Sequence, residues 1–172
     1  MSLGDSATII ITIVLASIIM FVWPLMTMAD KKDDVSTAFV QASTTDLVDS
    51  VRTTGRLDQD KYDTFLQELA SSGEAYDVEV TIYVLDENPS KKTTSNYQTI
   101  GDNVYYVMYT TQVMEALQKG TLALKEGDQI KVSVKRTSTT LGEQLRNFLY
   151  RVTGNGTVEL ASDSGIITVN GN

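Results

Sequence analysis

Residues 4–34 run GDSATIIITIVLASIIMFVWPLMTMADKKDD, and the reading of this stretch decides the fold. Between Asp5 and Asp30 lie 24 residues without a charge, most of them Ile, Val, Leu or Met. Roughly 20 such residues, at about 1.5 Å each, cross the hydrocarbon core of a bilayer. Ile9, Ile10, Ile11, Val14, Leu15, Ile18, Ile19, Phe21 and Trp23 are the candidate anchor residues. Trp23 stands near the end of the run, where an amphipathic ring favours the headgroup zone. A secretory signal carries a basic n-region, a shorter apolar core and a small-residue cleavage site. Here MSLGDS has no Lys or Arg and the apolar run is long, so the expectation is a retained transmembrane helix.

The helical pattern continues past the charged patch. Val35, Phe39, Val40, Leu47, Val48 and Val51 recur at the spacing of one helical face, a candidate face for assembly with other subunits. No Gly or Pro interrupts residues 25–54, and Gly55 is a C-cap signal. One helix from about Ala7 to Thr54 is expected, roughly 70 Å long at ~1.5 Å per residue. Pro24 predicts a kink near Met20 and Phe21. The alternative is two helices joined at Ala29–Asp34.

Composition limits the chemistry. The 172 residues carry a net charge of −8, and the cations are scattered, so no basic face offers itself to nucleic acid. There is no Cys and no His, which removes thiolate chemistry, imidazole bases and the usual zinc ligands. An oxygen-only site for Ca²⁺ or Mg²⁺ stays open in principle, although no D-x-[DN]-x-[DN]-G loop appears. No catalytic, metal or cofactor site is expected.

Beyond residue 55 the pattern is α+β. LDQDKYDTFLQELASSG predicts a short helix with Tyr62, Phe65, Leu66 and Leu69 on one face, stopped by Gly73. YDVEVTIYVLD alternates, with Tyr76, Val78, Val80, Ile82 and Val84 facing one way, and predicts a strand. Residues 87–103 are polar and form a connection. In VYYVMYTTQVMEALQKG a helix is expected over Thr111–Lys119, with strand or helix open before it. DQIKVSVKRTS, introduced by a turn at 124–128, predicts a second strand, antiparallel to the first. TTLGEQLRNFLYRV has Leu141, Leu145, Phe148, Leu149 and Val152 at helical spacing, with Thr139 or Thr140 as N-cap. After a TGNG turn, two short strands, 157–161 and 165–169, are expected as a hairpin around Asp163–Gly165. The chain thus divides into an anchor (1–29), an amphipathic extension (30–55) and a soluble head (56–172).

Other clusters favour bland readings. Asp58, Asp60, Asp63 and Glu68 resemble the charged outer face of a helix more than an acid–base pair. Lys135 and Ser138–Thr140 lack the spacing of a Ser/Lys dyad. Tyr105, Tyr106 and Tyr109 suit half-buried packing. Asn155–Thr157 matches the N-glycosylation triplet, which a turn sequence also produces.

The layout as a whole resembles the pilin and pseudopilin group, and within it the TadE-like proteins of tight-adherence pilus systems. The likeness rests on the apolar helix 6–29, its extension 30–54, the small head, and GDQIKVSVKRTSTTLGEQL (127–145), where a Gly–Asp pair introduces an alternating strand and then an apolar helix. Gly4–Asp5 before the apolar run is similar to a prepilin processing junction. Ile9 stands where ordinary type IV pilins carry Glu, and the leader lacks basic residues.

The resemblance implies a pilin-like fold and a structural role, with membrane lipid, other pilin-like subunits and assembly-platform proteins as partners. Lys31 and Lys32 follow the apolar run with none before it, which by positive-inside counting points to a cytoplasmic head. The pilin-like layout requires the opposite, a single-pass protein of the cell membrane with an extracellular head, and that is the expectation adopted. The alternatives are a membrane-tethered extracellular binding module and, least favoured, a carboxylate hydrolase.

Overall fold

A computed structural model describes residues 3–86, 105–150 and 157–171 of the chain. The polar connection 87–103, the TGNG turn and Asn155 lie outside the described residues. Helix α1 (Leu3–Thr54) is continuous through Pro24 and through Ala29–Asp34, as the one-helix reading expects. It is followed by β1 (Arg56–Leu57), α2 (Gln59–Ser71), β2 (Tyr76–Leu85), β3 (Tyr105–Met108) and α3 (Thr110–Gln118). β4 (Leu122–Ala123), β5 (Gln129–Arg136), α4 (Leu141–Tyr150) and β6 (Val158–Ile166) complete the order. The protein is therefore α+β, with a long apolar N-terminal helix and an antiparallel sheet.

Two compact units form: Met1–Ser36 with Thr139–Gly156, and Thr37–Ser138 with Thr157–Asn172. The second holds a four-stranded sheet in the order β3-β2-β5-β6, antiparallel throughout. β2 and β5 are its centre, paired from Tyr76↔Arg136 to Tyr83↔Gln129. Alternation then sends Val80, Ile82, Ile130, Val132 and Val134 to one face, where all are buried. Val40, Leu47, Val48 and Val51 of α1 join them in the core, with Tyr62, Phe65 and Leu69 of α2 and Val113 and Leu117 of α3.

The expected hairpin around Asp163–Gly165 does not form. β6 is one strand whose Asp163, Ser164 and Gly165 pair with Val132, Lys131 and Ile130 of β5. Its glycine serves close approach instead of a turn: a Cβ on Gly165 would lie 2.8 Å from Arg52 Cδ and 3.2 Å from Val48 Cγ1 of α1. The irregularity in this pairing sits elsewhere, between Val134 and Lys135. The open segment before α3 is strand β3. Where β3 ends, Thr110 Oγ1 carries on the ladder, accepting from Val80 N–H at 3.0 Å and donating to Val80 O at 3.2 Å.

Two corners fix the loops of this unit. Asp128 is 2 % exposed, and its carboxylate accepts from the backbone N–H groups of Leu85 and Lys125, each at 2.8 Å. Its carbonyl accepts from Ile167 N–H, also at 2.8 Å, so one residue ties β2, the β5 turn and the chain after β6 together. Gly55 caps α1 in the left-handed region (φ 66°) and accepts from Leu124 N–H, while Leu124 O accepts from Gly171 N–H. A Cβ on Gly55 would overlap the carbonyl oxygen of Val169.

Gly55→Ala is therefore expected to destabilise the fold by at least about 2 kcal/mol, since left-handed backbone and backbone overlap both penalise a side chain. Urea denaturation of the full chain in detergent, followed by circular dichroism, measures this.

Candidate membrane and assembly face

The first unit presents the anchor. Ile9, Ile10, Ile11, Val14, Leu15, Ile18, Ile19, Phe21 and Trp23 are all exposed, from 43 % at Ile18 to 71 % at Trp23. α1 is long and apolar enough to cross a membrane, and none of its most apolar window is buried by the protein. Gly4 and Asp5, the candidate processing site, lie in its first turn.

The polar residues inside this segment are satisfied within the helix. Thr8, Thr12, Ser17 and Thr27 donate their hydroxyls to the carbonyls of Gly4, Thr8, Ile13 and Trp23, at 2.8 to 3.1 Å. A hydrocarbon medium requires this, because it offers no hydrogen-bond partner of its own.

Where charges begin, α4 meets α1. Thr140 is the N-cap: its Oγ1 accepts from Glu143 N–H at 3.2 Å, and Glu143 Oε2 accepts from Thr140 N–H at 3.1 Å, a capping box. The same hydroxyl donates to Asp33 Oδ2 at 2.8 Å. Arg146 pairs with Asp30 at 2.7 Å. Gly142 is buried against α1, where a Cβ would stand 3.3 to 3.4 Å from Asp30, Asp33 and Ala29. The T-x-x-E spacing of Thr140 and Glu143 was a visible cap signal; the Asp30 and Asp33 pairings, more than a hundred residues apart in sequence, had none.

The candidate assembly face separates into two sets. Val40, Leu47, Val48 and Val51 lie in the chain's own core, at 6 % exposure or less, so the head's own sheet and helices cover them. Val35 and Phe39 remain exposed, at 69 % and 38 %.

The other candidate clusters do not converge. Asp58 precedes α2 as its N-cap residue, Asp60, Asp63 and Glu68 are exposed, and Asp63 accepts from Gln59 Nε2. Lys135 is held by Glu79 at 2.7 Å, while Ser138 accepts from Ala75 N–H. Tyr106 and Tyr109 are exposed and Tyr105 half-buried. Among the described residues, no cluster of acidic side chains could hold a metal ion. Comparison with family models, with curated proteins and with solved structures finds no match.

Two ionic features of the head carry expectations. Arg136 and Glu74 form a pair at 3.7 Å with side chains 6 % and 8 % exposed, at the end of the core face of β5. Arg136→Ala, which leaves the Glu74 carboxylate buried, is expected to cost about 3 to 5 kcal/mol. Arg136→Met with Glu74→Leu is expected to recover most of that loss, as urea titration of the two variants would measure.

The Tyr62 hydroxyl is raised above its ordinary value by burial first, then by Asp63 and Asp77. The Lys135 ammonium is raised chiefly by its hydrogen bond to Glu79. Both groups are protonated more strongly in the folded chain than in the unfolded one, so their stabilisation is complete below the unfolded values. It is lost as the pH climbs above about 10. Tyr62→Phe is expected to make that alkaline loss shallower without abolishing it, in urea unfolding across a pH series.

Proposed function

We propose that this chain is a membrane-anchored structural subunit, a minor pilin or pseudopilin in kind, of a pilus or secretion apparatus. It is held by a single pass in the cell membrane with its head outside, and it has no catalytic role. The observation that carries this reading is the division of α1: one continuous helix has an exposed apolar first half and a second half that belongs to a folded core. The resemblance to TadE-like proteins supplies the biological frame.

The physical sequence is direct. Before assembly, lipid covers Ile9 to Met28, and the internally bonded Thr and Ser side chains add no desolvation penalty. During assembly, helices from neighbouring subunits replace lipid along that surface, held by close packing because lipid tails and aliphatic side chains are equally apolar. The head follows, because Val40, Leu47, Val48 and Val51 make the helix part of its core.

The second reading, a tethered binding module that does not polymerise, is favoured by the burial of those four residues, which removes most of the helical stripe from contact with other subunits. Val40→Asp would unfold the head and test nothing, whereas Val35 and Phe39 are free of the core. A photocrosslinking residue at Ile13 in producing cells is expected to give ladders of self-crosslinked chain. Val35→Asp with Phe39→Asp is expected to reduce them at least about tenfold, the effect of some 1.4 kcal/mol, with the head still folded. Lipid adducts without self-crosslinks would favour the tethered module, and protection of the head from protease on intact cells would exclude the pilin-like reading.

A further inference from the structure

We propose that α4 is a second membrane contact: an interfacial helix, pinned beside the end of the apolar segment of α1, whose Leu141–Leu145 face rests in the headgroup zone of the bilayer. The inference rests on α1 spanning the membrane. Three observations carry it. Thr140–Asp33 at 2.8 Å, Arg146–Asp30 at 2.7 Å and the buried Gly142 against Ala29 fix the first turns of α4 at the level where the uncharged run ends. Leu141 is nevertheless 69 % exposed, although it opens an amphipathic helix.

At 100° per residue, Leu141 and Leu145 share a face that is turned aside from Gly142, the residue packed on α1. On that face Leu141 is exposed and Leu145 half-buried, and neither belongs to the buried core of the sheet unit. Lys31 and Lys32 are exposed on the same stretch of α1, as suits side chains reaching phosphate level.

A ten-residue helix of this kind would hold a membrane weakly by itself. Anchored by α1, it meets the surface as an intramolecular partner at high effective concentration, so little apolar area suffices. Glu143 and Arg146 offset each other, so zwitterionic lipid is enough and anionic lipid is not required.

The chain has no Cys, so single labelling sites are simple to install. Ile11→Cys, Leu141→Cys, Leu145→Cys and Gln144→Cys chains would each be labelled with an environment-sensitive fluorophore. Each would be reconstituted in phosphatidylcholine vesicles containing lipid with a nitroxide either near the headgroup or near the acyl-chain end. The expected result is deep quenching at Ile11 and shallow quenching at Leu141 and Leu145, at least about twice that at Gln144, which lies outside the apolar face. Deep quenching at Ile11 with Leu141 and Leu145 no more quenched than Gln144 overturns the proposal and leaves the spanning helix intact. Absence of quenching at Ile11 overturns both. Leu141 makes little packing contact, so its replacement leaves the fold in place, and circular dichroism of each labelled chain verifies this.

Discussion

Burial of Val40, Leu47, Val48 and Val51 of α1 in one core with Ile82 and Ile130 of the sheet, where Val48 comes close to Gly165, is the contact on which the head depends. Each fully buried Val or Leu contributes about 1.5 to 3 kcal/mol of transfer free energy. Small residues on β6 make it work: Ala161 is buried and Gly165 leaves room for Val48 and Arg52. The end of the helix is then locked by backbone bonds among Gly55, Leu124 and Gly171, and the backbones of Gly55 and Gly171 approach too closely for a side chain on either. A helix that begins as an apolar rod is, by Val40, an internal part of a domain.

Much of this was legible from periodicity. The extent of α1, the helix carrying Tyr62, Phe65 and Leu69, the strands carrying Val80 and Val132, and the Gly55 cap all follow from spacing and cap chemistry, because each is a local property. The segment before Thr111 resisted because Tyr105–Met108 is a four-residue edge strand, too short for its alternation to be told from a helical turn. Asp163–Ser164–Gly165 misled for a different reason. The same residues suit a turn or a strand that must let a helix come close, and only the position of Val48 and Arg52 distinguishes them.

The assembly face shows the same limit. Spacing put Val35, Phe39, Val40, Leu47, Val48 and Val51 on one stripe, and spacing cannot say which part of a stripe the chain covers for itself. What covers Val40, Leu47, Val48 and Val51 includes strands β5 and β6, which lie far along the chain at Gln129–Arg136 and Val158–Ile166. Asp128 is a similar case. In sequence it is the last residue of the 124–128 turn, yet its buried carboxylate collects the N–H of Leu85 as well as that of nearby Lys125, and no local signal announces a carboxylate that serves a distant strand.

α1 passes from an exposed apolar segment into a protein core without changing how it treats its polar atoms. Thr44, fully buried in the head, donates to Val40 O at 2.7 Å by the same four-residue return that Thr8, Thr12, Ser17 and Thr27 use. A hydroxyl satisfied by its own helix needs nothing from lipid or from neighbouring side chains. That indifference lets one helix serve two surroundings that differ in every other respect. The charges Asp30 and Asp33 cannot be treated in this way, since no backbone carbonyl can accept from a carboxylate. They are met from outside the helix, by Arg146 and Thr140, at the point where the apolar run stops.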